Sequence, residues 1–251
     1  MFGGKERRRK IALARPFPDA WRSILEESVL LYRRLPPEDR AELHGHVQVL
    51  LAEKRFEGAD GLEVSDRMKL IIAAQAAVLL LHRSTDFFPK LTSVLLYPAE
   101  YAVQEEVETE DGLIEEVDEA RIGESWQLGT LVLSWEDVER DLESAVQNVV
   151  LHEFAHQLDA ETGDTNGAPV LADRDLRSRW TDVLSDAYDR LVEADEAGEE
   201  TLLDPYGTED PAEFFAVATE GFFLIPRELA EEEADLYAVL SEFFRQDPAR
   251  W

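Results

Sequence analysis

The segment Val149-Val150-Leu151-His152-Glu153-Phe154-Ala155-His156-Gln157-Leu158-Asp159 constrains this chain more than any other. It sets a His-Glu-x-x-His pattern inside an apolar, helix-compatible run. On a helix, His152 and His156 lie one turn apart on the same face. Two imidazoles so stacked can hold one zinc ion at roughly 2.0–2.1 Å each. Glu153 lies beside them, placed to reach a water on the metal without being a ligand, which suits a general base.

Such a short pattern also arises by chance, and helical histidines are often hydrogen-bonded core residues. The context decides. The neighbours are Val149, Val150, Leu151, Phe154, Ala155 and Leu158, so the segment reads as buried. Burying several ionisable groups among aliphatics costs several kcal/mol unless something pairs with them. A divalent cation offsets that cost.

Composition narrows the metal chemistry. The 251 residues include no cysteine, so a zinc site must be built from His and carboxylate. Apolar residues make up 45% of the chain, enough for a sizeable core. The formal net charge is −30, a field that repels phosphate backbones and argues against nucleic-acid binding. It speaks first to solubility, and second to a basic partner. No run reaches the roughly 18 apolar residues of a membrane helix. Nor does the N-terminus hold the apolar core of about 7–15 residues that a secretory signal needs. The expected location is cytoplasmic. Lys5 to Lys10 form a basic cluster in residues 1–15, which read as a frayed tail ahead of one domain at 16–251.

Along that domain, helical spacing predicts helices at Trp21–Tyr32, from Pro36-Pro37 onward, and at Met68–His82, the last apolar nearly all round. His44 and His46 point to different faces, which argues against a shared metal. Gly58-Ala59-Asp60-Gly61 reads as a turn and Leu91–Tyr97 as a strand. Ala102–Thr109 and Leu113–Asp118 flank Glu110-Asp111-Gly112 as an acidic hairpin. Leu128–Ser134 is a further strand, so a small sheet precedes the motif helix, whose cap is Ser144 or Asp141. Leu176–Ala194, a helix opened by Asp210-Pro211-Ala212, and Glu228–Phe244 complete the chain. The expected fold class is α+β, mostly helical, as one compact unit or as two lobes around a cleft.

Hydrolytic zinc usually has three protein ligands and one open position. The other histidines lie upstream without a supporting pattern, so a downstream carboxylate is expected. Glu213 is the best candidate, in the first turn of an otherwise apolar helix, with Glu220 two turns later on the same stripe. A first-turn glutamate also answers the helix dipole, but two glutamates on one apolar stripe point toward a common target. Glu220 then suits a hydrogen bond to a ligand histidine, and Asp159 a similar supporting role or helix stabilisation. Glu209 and Asp210, in the preceding loop, are weaker rivals. Tyr206 is either a loop tyrosine packed on the core or a hydrogen-bond donor to an oxyanion.

These blocks together resemble a known family. His152 to Asp159, Asn166-Gly167-Ala168-Pro169, Tyr206 and Asp210-Pro211-Ala212-Glu213-Phe214-Phe215-Ala216-Val217 are similar to those of the Mlc titration factor A family of gluzincin-related bacterial zinc peptidases. Leu95-Leu96-Tyr97-Pro98, Trp126, Gly129, Trp135 and Gln246-Asp247-Pro248 extend the likeness over most of the chain. The basic N-terminus and the acidic stretch near 104–119 fall outside it. The resemblance implies a zincin-like fold and one Zn2+ held by His152, His156 and Glu213. It further implies Glu153 as catalytic base, Tyr206 as oxyanion stabiliser, and a peptide or protein substrate. It also implies a second role, because the family's namesake binds the repressor Mlc and relieves repression of sugar-uptake genes. No residue carries that contact over. The alternative to a peptidase is a non-catalytic regulator that sequesters a repressor around a structural zinc; against it, a structural zinc has no need of Glu153.

Overall fold

The computed structural model describes residues 3–99, 103–108, 114–119, 129–171 and 173–251. The turn read at Glu110-Asp111-Gly112 and the position of Trp126 lie outside them. Helix α5 (Asp66–Val78) runs through the centre, with every residue from Leu70 to Val78 buried. An all-round apolar helix is stable only when packed on all sides. Here α4 (Pro37–Glu53), α2 (Asp19–Ser28), α3 (Leu30–Arg34) and α7 (Val149–Asp159) cover it. Ser65 caps α5 by accepting the Met68 N–H at 3.2 Å. The helix stops at Val78, short of His82, which takes a left-handed φ of 59°.

Two helices expected to be continuous are broken. Val29 adopts extended backbone (φ −120°, ψ 105°) between α2 and α3. Its side chain stays buried there, so burial offsets the lost helical hydrogen bonds. Glu233 similarly separates α10 (Pro226–Glu232) from α11 (Ala234–Phe244).

The sheet is parallel, in the order β1 (Arg55–Gly58), β2 (Ser93–Tyr97), β5 (Thr130–Ser134). Its register pairs Phe56 with Val94 and Val94 with Leu131. The expected small sheet ahead of α7 is therefore present, but Arg55–Gly58 is strand rather than merely the approach to a turn. Strand β1 has only four residues and no alternation, so the signal lies in its partner β2. The acidic stretch forms a separate antiparallel pair, β3 (Val103–Glu108) with β4 (Ile114–Glu119).

The N-terminal residues are not a frayed tail. Gly3–Leu13 is helix α1, laid on α4. Arg9 reaches Glu53 at 2.7 Å and Lys5 reaches Asp86 at 2.9 Å, while Ala12 is buried. Carboxylates brought together by the fold thus give the basic cluster an ordered seat. The remaining helices are α6 (Trp135–Asp141), α8 (Arg174–Ala197) and α9 (Pro211–Leu224). Helix α9 packs along α7, and its residues from Phe214 to Leu224 are all buried. No helix of the described residues is long and apolar enough to cross a membrane.

Candidate metal centre

Helix α7 is fixed at its N-terminus by a buried polar knot. Asn148 is the N-cap, its side-chain oxygen accepting the Leu151 N–H at 2.9 Å. Asp141 accepts the Val149 N–H at 2.9 Å, and Ser144 accepts from Val146 and Gln147. The cap is therefore neither Ser144 nor Asp141, although Asp141 satisfies the next N–H. The Asn148 amide also donates to Gln75 of α5, and its backbone N–H donates to Glu220 of α9. Sequence reasoning missed Asn148 and Gln75. An Asn three residues before Leu151 was a legible capping signal, whereas Gln75 in an apolar helix gave no hint of its partner.

His152 and His156 project from α7 toward α9. His152 Nε2 lies 3.0 Å from Glu213 Oε2 and 3.2 Å from His156 Nε2, and His156 Nε2 lies 3.4 Å from Glu213 Oε2. Among the described residues this is the one group of three that could hold a metal ion. The donor set fits zinc. Ligands at about 2.05 Å in a tetrahedron stand about 3.3 Å apart, and these three separations bracket that edge. Two imidazole nitrogens facing each other over one carboxylate oxygen repel if both are protonated; a divalent cation between them satisfies all three. Glu213 is set by its own helix start, where Asp210 accepts the N–H groups of Ala212 and Glu213. Asp210 is thus committed to capping. Glu209 lies in the preceding turn, and neither is in the group that converges.

The other ring nitrogen of His152 is 2.9 Å from Glu220 Oε1. That contact fixes the tautomer, leaving Nε2 as the donor to a metal. Burial alone would lower the His152 pKa, but Glu213 and Glu220 carry it up to about 10. Burial would raise that of Glu213, and the two imidazoles hold it at about 2. Glu153 is buried, with one carboxylate oxygen lacking a hydrogen bond, and burial pushes its pKa up to about 8.

Tyr206 sits in a 3-10 turn, Pro205–Thr208, with its ring centroid 6.0 Å from that of His152. It is half exposed, and burial followed by nearby carboxylates raises its pKa to about 12, so the phenol keeps its proton. Asp204, which also passed unnoticed in the sequence, accepts the Tyr206 N–H and the Gln147 amide, tying this turn to the approach of α7.

Asp159 is fully buried and accepts the Gly167 N–H at 2.7 Å. Gly167 has φ 74°, and a β-carbon there would sit 2.3 Å from the Pro211 carbonyl oxygen. Its own carbonyl accepts from the Trp180 indole. Asp159 thus braces the loop between α7 and the start of α9. The remaining histidines are elsewhere: His44 stacks on Phe17 at 3.9 Å, His46 is edge-on to Phe87, and His82 contacts Asp39 and Glu42.

Comparison with known proteins places the chain among its relatives. A protein of Synechocystis sp., described as uncharacterized, is 37% identical over 244 residues, covering 96% of this chain and 89% of its own. Mlc titration factor A of Pectobacterium atrosepticum is 33% identical over 231 residues, 91% of this chain and 86% of its own. That of Klebsiella pneumoniae is 32% identical over 231 residues, again 91% and 86%. The family described as glucose-regulated metallo-peptidase M90 matches residues 4–245. A match of that extent makes the chain a member of the glucose-regulated metallo-peptidase M90 family.

Proposed function

We propose that this chain is a zinc-dependent peptidase with a zincin-like, gluzincin-type site, residues 16–251 forming one catalytic unit that works in the cytoplasm. The observation that carries the reading is the convergence of His152 Nε2, His156 Nε2 and Glu213 Oε2 within 3.4 Å of one another, next to a buried Glu153 with one carboxylate oxygen that no group bonds. Zinc held by these three residues would supply an acidified water, with a pKa toward about 7, and a Lewis acid for a peptide carbonyl.

The remaining steps belong to the chain. Glu153 takes the proton of the attacking water and delivers it to the departing amine. Tyr206, protonated, donates to the oxyanion that develops on the carbonyl. Glu220 holds His152 by its Nδ1–H, keeping Nε2 directed at Glu213 and His156.

Glu153→Gln tests the assignment. General-base loss lowers kcat by about 10²–10⁴-fold, while zinc content by atomic absorption stays at one per chain. Wild-type cleavage of a peptide library by this variant would remove Glu153 from the mechanism.

The name carried by the Pectobacterium and Klebsiella relatives supports a second role, binding a transcriptional repressor resembling Mlc. If that is the sole role and the zinc is structural, partner binding survives both Glu153→Gln and full loss of hydrolysis, and no peptide is cleaved by the wild type.

A further inference from the structure

A cleft of about 340 Å³ opens at the far end of the segment that follows α7, between that segment and α11. Arg83 and Glu161 both line it, with Arg245, Val170, Leu171 and Phe243. The Arg83 guanidinium carbon lies over Phe243, 4.0 Å from the ring centroid, and one of its nitrogens donates a long bond to the Leu79 carbonyl. A guanidinium has five N–H donors, and this is the one bond the Arg83 side chain makes among the described residues, so most of its donor capacity is uncommitted. Burial lowers its pKa to about 10. Glu161 is the anion that opposes that fall and Arg83 the cation that most opposes the rise at Glu161, yet the two are not in ion-pair contact. The Glu161 carboxylate accepts no side-chain or backbone hydrogen bond among the described residues, and burial raises its pKa.

The other carboxylates at the rim are committed. Asp173 caps α8, and Glu242 is bound to Arg179 at 2.6 Å. Arg245 is exposed, left-handed at φ 57°, and without an ion-pair partner among the described residues. The uncommitted charges of the cleft are therefore two cations and one anion, opposite an apolar wall on which Val170 remains 51% exposed. A cation and an anion that are both desolvated but held too far apart to touch leave their mutual attraction unused.

We propose that this cleft binds a small apolar zwitterion, an α-amino acid or short peptide with a branched aliphatic side chain, its carboxylate on Arg83 and Arg245 and its ammonium on Glu161. The carboxylate meets the N–H edge of Arg83 in the plane of the guanidinium, while Phe243 covers one face of that plane. The side chain covers Val170 and Leu171. This site is independent of the peptidase reading, since none of its residues belongs to the metal centre.

The test is calorimetric titration of the full zinc-loaded chain with L-leucine and with leucyl-leucine, which separates the free amino acid from the peptide as ligand. The controls are 4-methylpentanoate, which lacks the ammonium, and 3-methylbutylamine, which lacks the carboxylate. Each control binds at least about tenfold more weakly than the better zwitterion, because each forfeits one charge-assisted contact. Glu161→Gln weakens the zwitterion by a similar factor and does not weaken 4-methylpentanoate, which loses a nearby like charge. Arg83→Gln also removes the stack on Phe243, so the analogue series on the unaltered chain keeps the test independent of its folding. The proposal is overturned if neither zwitterion binds, if the controls bind as well as the zwitterion, or if binding ignores Glu161→Gln and vanishes in His156→Ala, which would place the ligand at the metal centre.

Discussion

His152 uses both ring nitrogens, one toward Glu213 and one toward Glu220 at 2.9 Å, and that double engagement sets the two ligand helices in register. Glu220→Gln keeps the size but weakens the acceptor. Loss of such a supporting hydrogen bond typically costs 10–100-fold, so zinc affinity measured by competition with a chelator falls by about that factor. An unchanged affinity would make Glu220 a mere space-filler. A second residue-scale effect lies far from the metal. His44, stacked on Phe17, has its pKa lowered from 6.5 to about 4 by burial and then by Arg22 and Arg40. The unfolded chain therefore binds its proton first as pH falls. The stability contributed by neutral His44 is complete above pH 6.5 and is lost as pH falls from 6.5 through about 4. Partial exposure discounts the effect to on the order of 1 kcal/mol. Urea unfolding at several pH values should show a shallower acid slope in His44→Phe than in the wild type; parallel slopes would refute the assignment.

Between elements, the critical distance is that from the end of α7 to the start of α9, because His156 lies on one and Glu213 on the other. Asp159 and Gly167 set it. Gly167→Ala brings a methyl group against the Pro211 carbonyl, whose oxygen lies 2.3 Å from the added carbon, and imposes strain at φ 74°. The start of α9 must move, so the variant loses about 2 kcal/mol or more and binds zinc more weakly. Gly198→Ala is the control. It is also left-handed, at φ 69°, but has open space around it at the C-terminus of α8. It costs about 1 kcal/mol and leaves zinc affinity intact. Equal zinc affinities in the two variants, measured by the same chelator competition, would dissociate the loop from the site.

At the scale of the whole molecule, 55 acidic residues against 25 basic ones make the folded state repel itself. Raising ionic strength from about 0.01 to about 0.15 M shortens the screening length from roughly 30 to roughly 8 Å. The melting temperature, followed by calorimetry, rises by a few degrees over that range; a fall would mean that attractive pairs such as Arg9–Glu53 outweigh the repulsion. The same charged residues show where sequence reasoning stopped. Lys5 and Arg9 look like a solvated tail because their partners, Asp86 and Glu53, are distant in the chain. Strand β1 is invisible alone because a parallel edge strand is defined by its neighbour. Spacing along the chain did determine the helical class of most segments, the pairing of His152 with His156 on one turn, and the candidacy of Glu213 and Glu220, since helical periodicity is a local property of backbone geometry. Only the tertiary structure decided that Glu213 comes within 3.4 Å of both imidazoles, that Asn148 rather than Ser144 or Asp141 caps α7, and that Arg83 and Glu161 face one cleft. Those relations join residues tens of positions apart, and their distances are fixed by how helices pack rather than by anything written between them.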